Sequence, residues 1–194
     1  MEHYIIFGPP GAGKGTQSAS MVRDFNLCHL STGDLLRAEI AARTELGMHA
    51  KALIDAGNFV PDSVVEKIIE NRMETEKDVR GFLLDGFPRT ISQAEDLDAM
   101  LARRGESVTK VISLMIPDET VRARIHHRAA IEGRADDIDE ETISNRIRTY
   151  HEKTEPLIAY YKACGKYFEI SGDRGPGEAG IALVYEDVRK LMQD

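Results

Sequence analysis

Gly8-Pro9-Pro10-Gly11-Ala12-Gly13-Lys14-Gly15-Thr16 decides how the rest of the chain is read. Ahead of it the short apolar run Tyr4-Ile5-Ile6-Phe7 predicts a buried strand, and behind it Gln17 to Val22 predicts the first turns of a helix. Strand, glycine-rich turn and helix in that order make a phosphate-binding loop. Glycines without a Cβ let the backbone curl until successive N–H groups face one anion, and the helix N-terminus adds partial positive charge at the same point. Lys14 supplies a mobile cation for β- and γ-phosphates. The generic motif places Ser or Thr directly after the lysine to bind Mg²⁺; here Gly15 stands there and Thr16 follows.

Outward from this loop, strands alternate with helices. Cys28 to Leu30, Gly81 to Gly86, Thr109 to Ile116 and Tyr167 to Ile170 read as further strands. Ser31-Thr32-Gly33-Asp34 opens a helix through Ala41, and Glu45 to Ala56 forms another that stops at Gly57-Asn58. Pro61 restarts a helix at its first turn; Ser92 to Arg104 and Glu119 to Arg128 are helical. Ala129 to Asp137 reads as a polar connection, Asp139 to Ala163 as a long helix interrupted at Pro156, Gly172 to Gly180 as a glycine-rich loop and Ile181 to Met192 as the closing helix. Short continuous apolar strands between helices predict an α/β fold, a five-stranded parallel sheet covered on both faces. Ligands in such sheets sit at the carboxyl ends of the strands. The phosphate loop, Thr32-Gly33-Asp34, Asp85 to Arg89 and the loop after Gly172 converge there, which predicts a single active centre.

A length of 194 residues suits one domain with small inserted lobes, and a composition 42% hydrophobic and 30% charged is that of an ordinary globular chain. A net charge of −8 argues against nucleic acid held on a basic surface. No apolar run is long enough for a membrane helix and no signal-peptide pattern opens the chain, so a cytoplasmic protein without membrane association is expected. Cys28 and Cys164 are too few for a disulfide framework and are expected to be small buried hydrophobes.

Asp85 ends an apolar strand, where a carboxylate is costly unless paired or near a metal. Beside a phosphate loop it is the expected partner of Mg²⁺, through water. Among the arginines, Arg124 and Arg128 lie four apart on one helix and would repel each other unless an anion lies between them. With Arg37, Arg89, Arg134 and Arg146 they form a basic cluster on an acidic chain, which points to polyphosphate and to phosphoryl transfer by positioning and charge neutralisation.

Over nearly its whole length the sequence resembles the adenylate kinases of the short-lid form. The resemblance rests on Gly8 to Thr16, on Ser31-Thr32-Gly33-Asp34-Leu35-Leu36-Arg37, and on Asp85-Gly86-Phe87-Pro88-Arg89-Thr90 with Gln93; Gly15-Thr16 is itself the family's form. It implies a P-loop nucleoside monophosphate kinase fold, with a core (1–30, 61–128, 139–194), a mobile AMP lobe (31–60) and a short lid (129–138). It implies that Gly11, Ala12, Gly13, Lys14, Gly15 and Thr16 hold the phosphates of ATP, with Arg124 on its adenine. Ala179 is the best match for a backbone contact to that base. Thr32, Arg37, Asn58, Phe59, Val60, Gly86, Phe87, Pro88, Arg89 and Gln93 would form the AMP pocket, Gln93 reading the adenine edge. Arg128, Arg134 and Arg146 would clamp phosphates. Mg²⁺ would accompany ATP, and the lid, lacking Cys, would hold no structural zinc. Interconversion of ATP plus AMP and two ADP follows from the resemblance; nothing in the sequence advertises an interface, so a monomer is expected. Its rivals are a UMP/CMP kinase, against which Thr32 and Gln93 argue, and a catalytically weak nucleotide-binding protein.

Overall fold

In the computed structural model, which describes residues 1–55, 60–133, 137–175 and 177–193, the continuous apolar runs become one sheet. Its strands are β1 (Glu2–Phe7), β2 (Leu27–Ser31), β3 (Gly81–Asp85), β4 (Lys110–Met115) and β5 (Tyr167–Ser171), in the order β2-β3-β1-β4-β5 with every neighbouring pair parallel. The helices between them are α1 (Lys14–Phe25), α2 (Thr32–Ala41), α3 (Glu45–Asp55), α4 (Asp62–Thr75), α5 (Ile91–Arg103), α6 (Asp118–Glu132), α7 (Glu140–Thr149), α8 (Leu157–Ala163) and α9 (Gly177–Gln193). β1 is central, so the loop that follows it opens where the chain switches from one half of the sheet to the other, the place where such sheets bind ligands.

The alternation of side chains along β1 divides the core in two. Ile5 and Phe7 face one layer with Phe82, Leu84 and Val111, closed by Ile69 of α4, Leu97 of α5 and Tyr161 of α8. Tyr4 and Ile6 face the other, with Leu83, Ile112 and Leu114, closed by Met21 of α1, Ile125 of α6, Ile143 of α7 and Val188 of α9. Both faces are therefore covered, as continuous apolar strands require.

Four local readings are corrected. α6 runs past Arg128 to Glu132, so part of the expected polar connection is helix; it ends where Gly133, at φ 60°, supplies a left-handed cap whose N–H bonds the Ala129 carbonyl. The long helix before β5 gives way ahead of Pro156, in a π-helical turn over Tyr150–Thr154. Proline offers no N–H to the carbonyl four residues back, and the turn widens, with Glu155 N–H donating to Tyr150 C=O at 2.9 Å. α9 begins at Gly177, not Ile181, which places Ala179 in its first turn. Cys164 is exposed at the end of α8, and Cys28 is half-buried. The expected helix stop at Gly57-Asn58 lies outside the described residues.

At the amino end of the sheet, His3 is fully buried, its ring stacked on Phe82 and its Nε2 2.8 Å from Glu106 Oε2, while Nδ1 has no partner among the described residues. Burial lowers its pKa below the usual 6.5 in spite of Glu106. A lowered folded-state value means that the unfolded chain takes up the proton first, so this contribution to stability is present above pH 6.5 and lost as pH falls through the folded value. His151, raised by its hydrogen bonds to Glu155 and Asp118, has the opposite sign. Replacing His3 by Leu should flatten the acid side of the stability curve, by up to about 1.4 kcal/mol per pH unit for one proton. Denaturant titrations of both proteins between pH 7 and 5 measure the difference; parallel curves would remove His3 from the account.

Candidate active site

The loop after β1 is shaped by glycines whose conformations other residues avoid. Gly8 has φ 147°, and a Cβ there would lie 2.4 Å from the Leu114 carbonyl oxygen of the adjacent strand. Gly13, at φ 92°, precedes α1, and no side chain caps that helix. The first-turn N–H groups are thus left to an anion. Half-buried Lys14 donates to the carbonyls of Gly8 (3.0 Å) and Pro9 (3.1 Å). Desolvation pulls its pKa down to about 8, against the opposing pull of Asp85 and with the push of Arg89, Arg128 and Arg146.

Asp85 closes β3, its Oδ2 3.4 Å from His29 Nε2 on the neighbouring strand. One residue on, Gly86 has φ 81°, and a Cβ there would come within 2.8 Å of both Arg89 Nη2 and Thr32 Oγ1. Around this bare backbone the polar groups close in. Thr32 donates to the Gly86 carbonyl at 3.0 Å, Arg89 Nε donates to the same oxygen at 2.7 Å, and the Thr154 hydroxyl donates to the Arg89 carbonyl at 3.0 Å. Arg37 pairs with Asp34 at 2.6 Å. Gln93 is buried, Oε1 accepting from Arg89 N–H and Nε2 donating to Asp62 Oδ1, both at 2.6 Å.

The arginines that sequence reasoning grouped around a bound anion meet protein acceptors. Arg124 donates to the Gly172 carbonyl at 3.1 Å and pairs with Asp173; Arg128 grips Asp137 with Nε (2.6 Å) and Nη2 (2.8 Å). Arg146 takes Asp137 from the other side. Burial alone would raise the Asp137 pKa, but the two guanidiniums outweigh it and hold the carboxyl below the usual value.

Two cavities open at the carboxyl ends of the strands. One is lined by Thr32, Arg37, Val60, Pro88, Arg89 and Gln93, together with Thr149, Tyr150 and Thr154 around the π-helical turn. The other is lined by Pro10 to Gln17, Asp85, Arg124, Arg128 and the segment from Gly172 into α9. Lys14, Arg37, Gly86, Arg89 and Arg146 line both, so four cations stand where the cavities meet. Phe87 is packed in the core and Ala179 is exposed on α9; neither lines these cavities. Asn58, Phe59 and Arg134 lie outside the described residues.

The family model described as adenylate kinase matches residues 6–166. Among curated proteins, the adenylate kinase of Phocaeicola vulgatus is 47% identical over 191 residues, 98% of this chain and all of the relative. That of Bacteroides thetaiotaomicron is 46% identical over the same shares, and that of Flavobacterium psychrophilum 46% over the whole chain and 97% of the relative. The chain belongs to the adenylate kinase family.

For an adenylate kinase the two cavities fall on the motifs that carried the resemblance, and the structure adds residues the sequence did not single out. Asp137 read as the end of a polar connection, and it is fully buried and paired with two arginines. Asp62 read only as part of a helix start, and its bond to Gln93 joins residues 31 apart. Tyr150, whose buried hydroxyl has no partner among the described residues, lines the first cavity from a turn that has no local signature beyond the following proline. His29 read as one residue of a strand.

Proposed function

We propose that the chain transfers the terminal phosphoryl group of Mg·ATP to AMP, reversibly, giving two ADP. The observation that carries this reading is that four cations, Lys14, Arg37, Arg89 and Arg146, line both of two adjoining cavities. A transferred group crossing between them passes these positive charges, which is what phosphoryl transfer needs. The acceptor phosphate is already anionic near neutral pH, so no strong base is required.

In this reading the cavity along the P-loop takes ATP, with Gly11 to Thr16 on its phosphates and Arg124 beside its base. The cavity with Thr32, Arg37, Val60, Gly86, Arg89 and Gln93 takes AMP. Asn58, Phe59 and Arg134 are proposed to join it, on the resemblance alone. Residues 31–60 act as the AMP lobe and 129–138 as the lid, whose closure excludes the water that would otherwise hydrolyse ATP. Phe87 acts through packing. A contact from the segment 172–180 to the ATP base is proposed from Gly175 or Gly177, which line the cavity, in place of Ala179.

Asp85 fits a Mg²⁺ site that the protein supplies sparingly. Its carboxylate lines the ATP cavity, and Gly15 offers no hydroxyl. Mg²⁺ keeps several waters and takes one or two carboxylates plus substrate phosphates, which this donor set matches. Bound there, the ion would neutralise charge on the phosphates. No helix among the described residues is long and apolar enough to cross a membrane; we propose a cytoplasmic monomer.

A coupled assay with ATP and AMP, IMP, CMP or UMP as acceptor tests the reading. AMP should be preferred over both pyrimidine nucleotides; preference for CMP or UMP would overturn it.

A further inference from the structure

Gln93 is the most enclosed polar group of the acceptor cavity, 3% exposed, and its amide is gripped by groups of opposite kind. The backbone N–H of Arg89 can only donate, and it faces Oε1 at 2.6 Å. The ionised carboxylate of Asp62 can only accept, and it faces Nε2 at 2.6 Å. Reversing the amide would set its oxygen against a carboxylate and its NH₂ against an N–H, two repulsive contacts in a buried place. We propose that Asp62 is a positioning residue that fixes the direction of the Gln93 amide, and that the AMP site thereby selects 6-aminopurine over 6-oxopurine monophosphates. This rests on the proposed role of Gln93 as the residue that reads the acceptor base.

The selection follows from counting donors and acceptors. A primary amide has two N–H donors and two oxygen lone pairs. Asp62 occupies one donor and Arg89 N–H one lone pair, leaving one of each. An adenine edge presents an amine that donates and a ring nitrogen, N1, that accepts, which complements the remaining oxygen and N–H. A 6-oxopurine presents the reverse order: O6 accepts and N1–H donates. A freely turning glutamine would serve both bases by reversing its amide, whereas one clamped by an acceptor on one side and a donor on the other serves only the first.

Asp62 has a plainer use as the first residue of α4, where its charge suits the helix dipole. That use alone predicts a change in stability and none in base choice. Glu66, one turn further along α4 and itself raised in pKa by burial with Asp96 and Asp62 near it, offsets part of the dipole term, because removing the Asp62 charge relieves it.

The test is steady-state kinetics of Asp62→Asn with AMP and with IMP, which differ in the purine edge alone. The ratio of kcat/KM for AMP over IMP should narrow by about fivefold or more, the equivalent of one buried hydrogen-bond mismatch, through KM more than through kcat. Asp62→Glu, which keeps a pure acceptor, should recover part of the preference. ATP binding by calorimetry reports that each variant is folded, and Asp62→Ala is the second variant should the asparagine protein fold poorly. A ratio within about twofold of wild type in the folded variants, or an equal loss with both acceptors, overturns the proposal. Gln93→Leu separates the two levels of the argument. If it collapses the ratio while Asp62→Asn does not, only the clamp fails; if it leaves the ratio intact, the base-reading role of Gln93 fails and the clamp with it.

Discussion

Replacing Lys14 by methionine is expected to lower turnover by roughly 10²-fold or more, about 3 kcal/mol of transition-state stabilisation, while leaving the fold intact. Methionine keeps an unbranched stem and removes the charge together with its N–H donors. The ammonium lines both cavities and is the cation nearest the carbonyls that edge the phosphate loop, to which it donates at 3.0 and 3.1 Å. In a site shielded from water a preorganised charge acts on the transferred group with little reorganisation. The two loop carbonyls lose a donor in the variant, at a cost of about 1 kcal/mol each at most, so a folded protein remains to be assayed. A pH dependence accompanies the role. With a pKa near 8 in the free protein, Lys14 is charged below that value and neutral above it. Wild-type kcat/KM for ATP should therefore decline as pH rises past 8, a limb that the methionine variant lacks. Near-normal kcat in a well-folded variant would take Lys14 out of the transfer step.

The parts of this site that can be read along the chain are those made by neighbours in sequence. Gly8 to Thr16 is a strand, a turn and a helix in one stretch, so its shape follows from local rules alone. Ser31 to Arg37 and Asp85 to Arg89 are equally local, and each stands directly after a run of apolar residues that fixes its place at the end of a strand. The sheet itself was legible for the same reason, since period-two packing of Ile5 against Leu84 and Ile6 against Leu83 and Ile112 needs only continuous apolar strands. What could not be read is pairing at a distance. Asp62 and Gln93 are 31 residues apart, and nothing near either position signals the other. The turn at Tyr150 depends on how Pro156 is accommodated, and widening one turn is only one of several accommodations a helix can make. The π-helical solution brings Thr154 to the Arg89 carbonyl, a contact across 65 residues. Arg124 and Arg128 were grouped correctly on one face of α6, but repulsion between them says only that anions must be near, not that Asp137 and Asp173 supply them.

The second large effect belongs to Asp137. Its carboxylate is fully buried and accepts from Arg128 through two nitrogens and from Arg146 through a third, nine residues away on either side. Both arginines keep roughly a fifth of their side-chain surface exposed, at 23% and 18%, and both line the cavity along the phosphate loop. Asp137→Ala removes the charge that Arg128 and Arg146 share. Breaking a buried ion pair from one side costs about 3–5 kcal/mol, and the solvent path of the two arginines puts this case toward the low end. Turnover should fall about 10²-fold as well, because forks held to within hydrogen-bond geometry by Asp137 lose their orientation toward the phosphates. The two effects separate by adding an anion. Inorganic phosphate should raise the melting temperature of Asp137→Ala by more than it raises that of wild type, since it can take the vacated place between the arginines. Acid should act more strongly on wild type. With its folded-state pKa depressed, Asp137 contributes stability that is present above about pH 4 and lost as pH falls through the folded value, so the variant's stability curve is flatter over that range. If phosphate stabilises both proteins equally and their acid limbs run parallel, Asp137 is not what holds Arg128 and Arg146 in place.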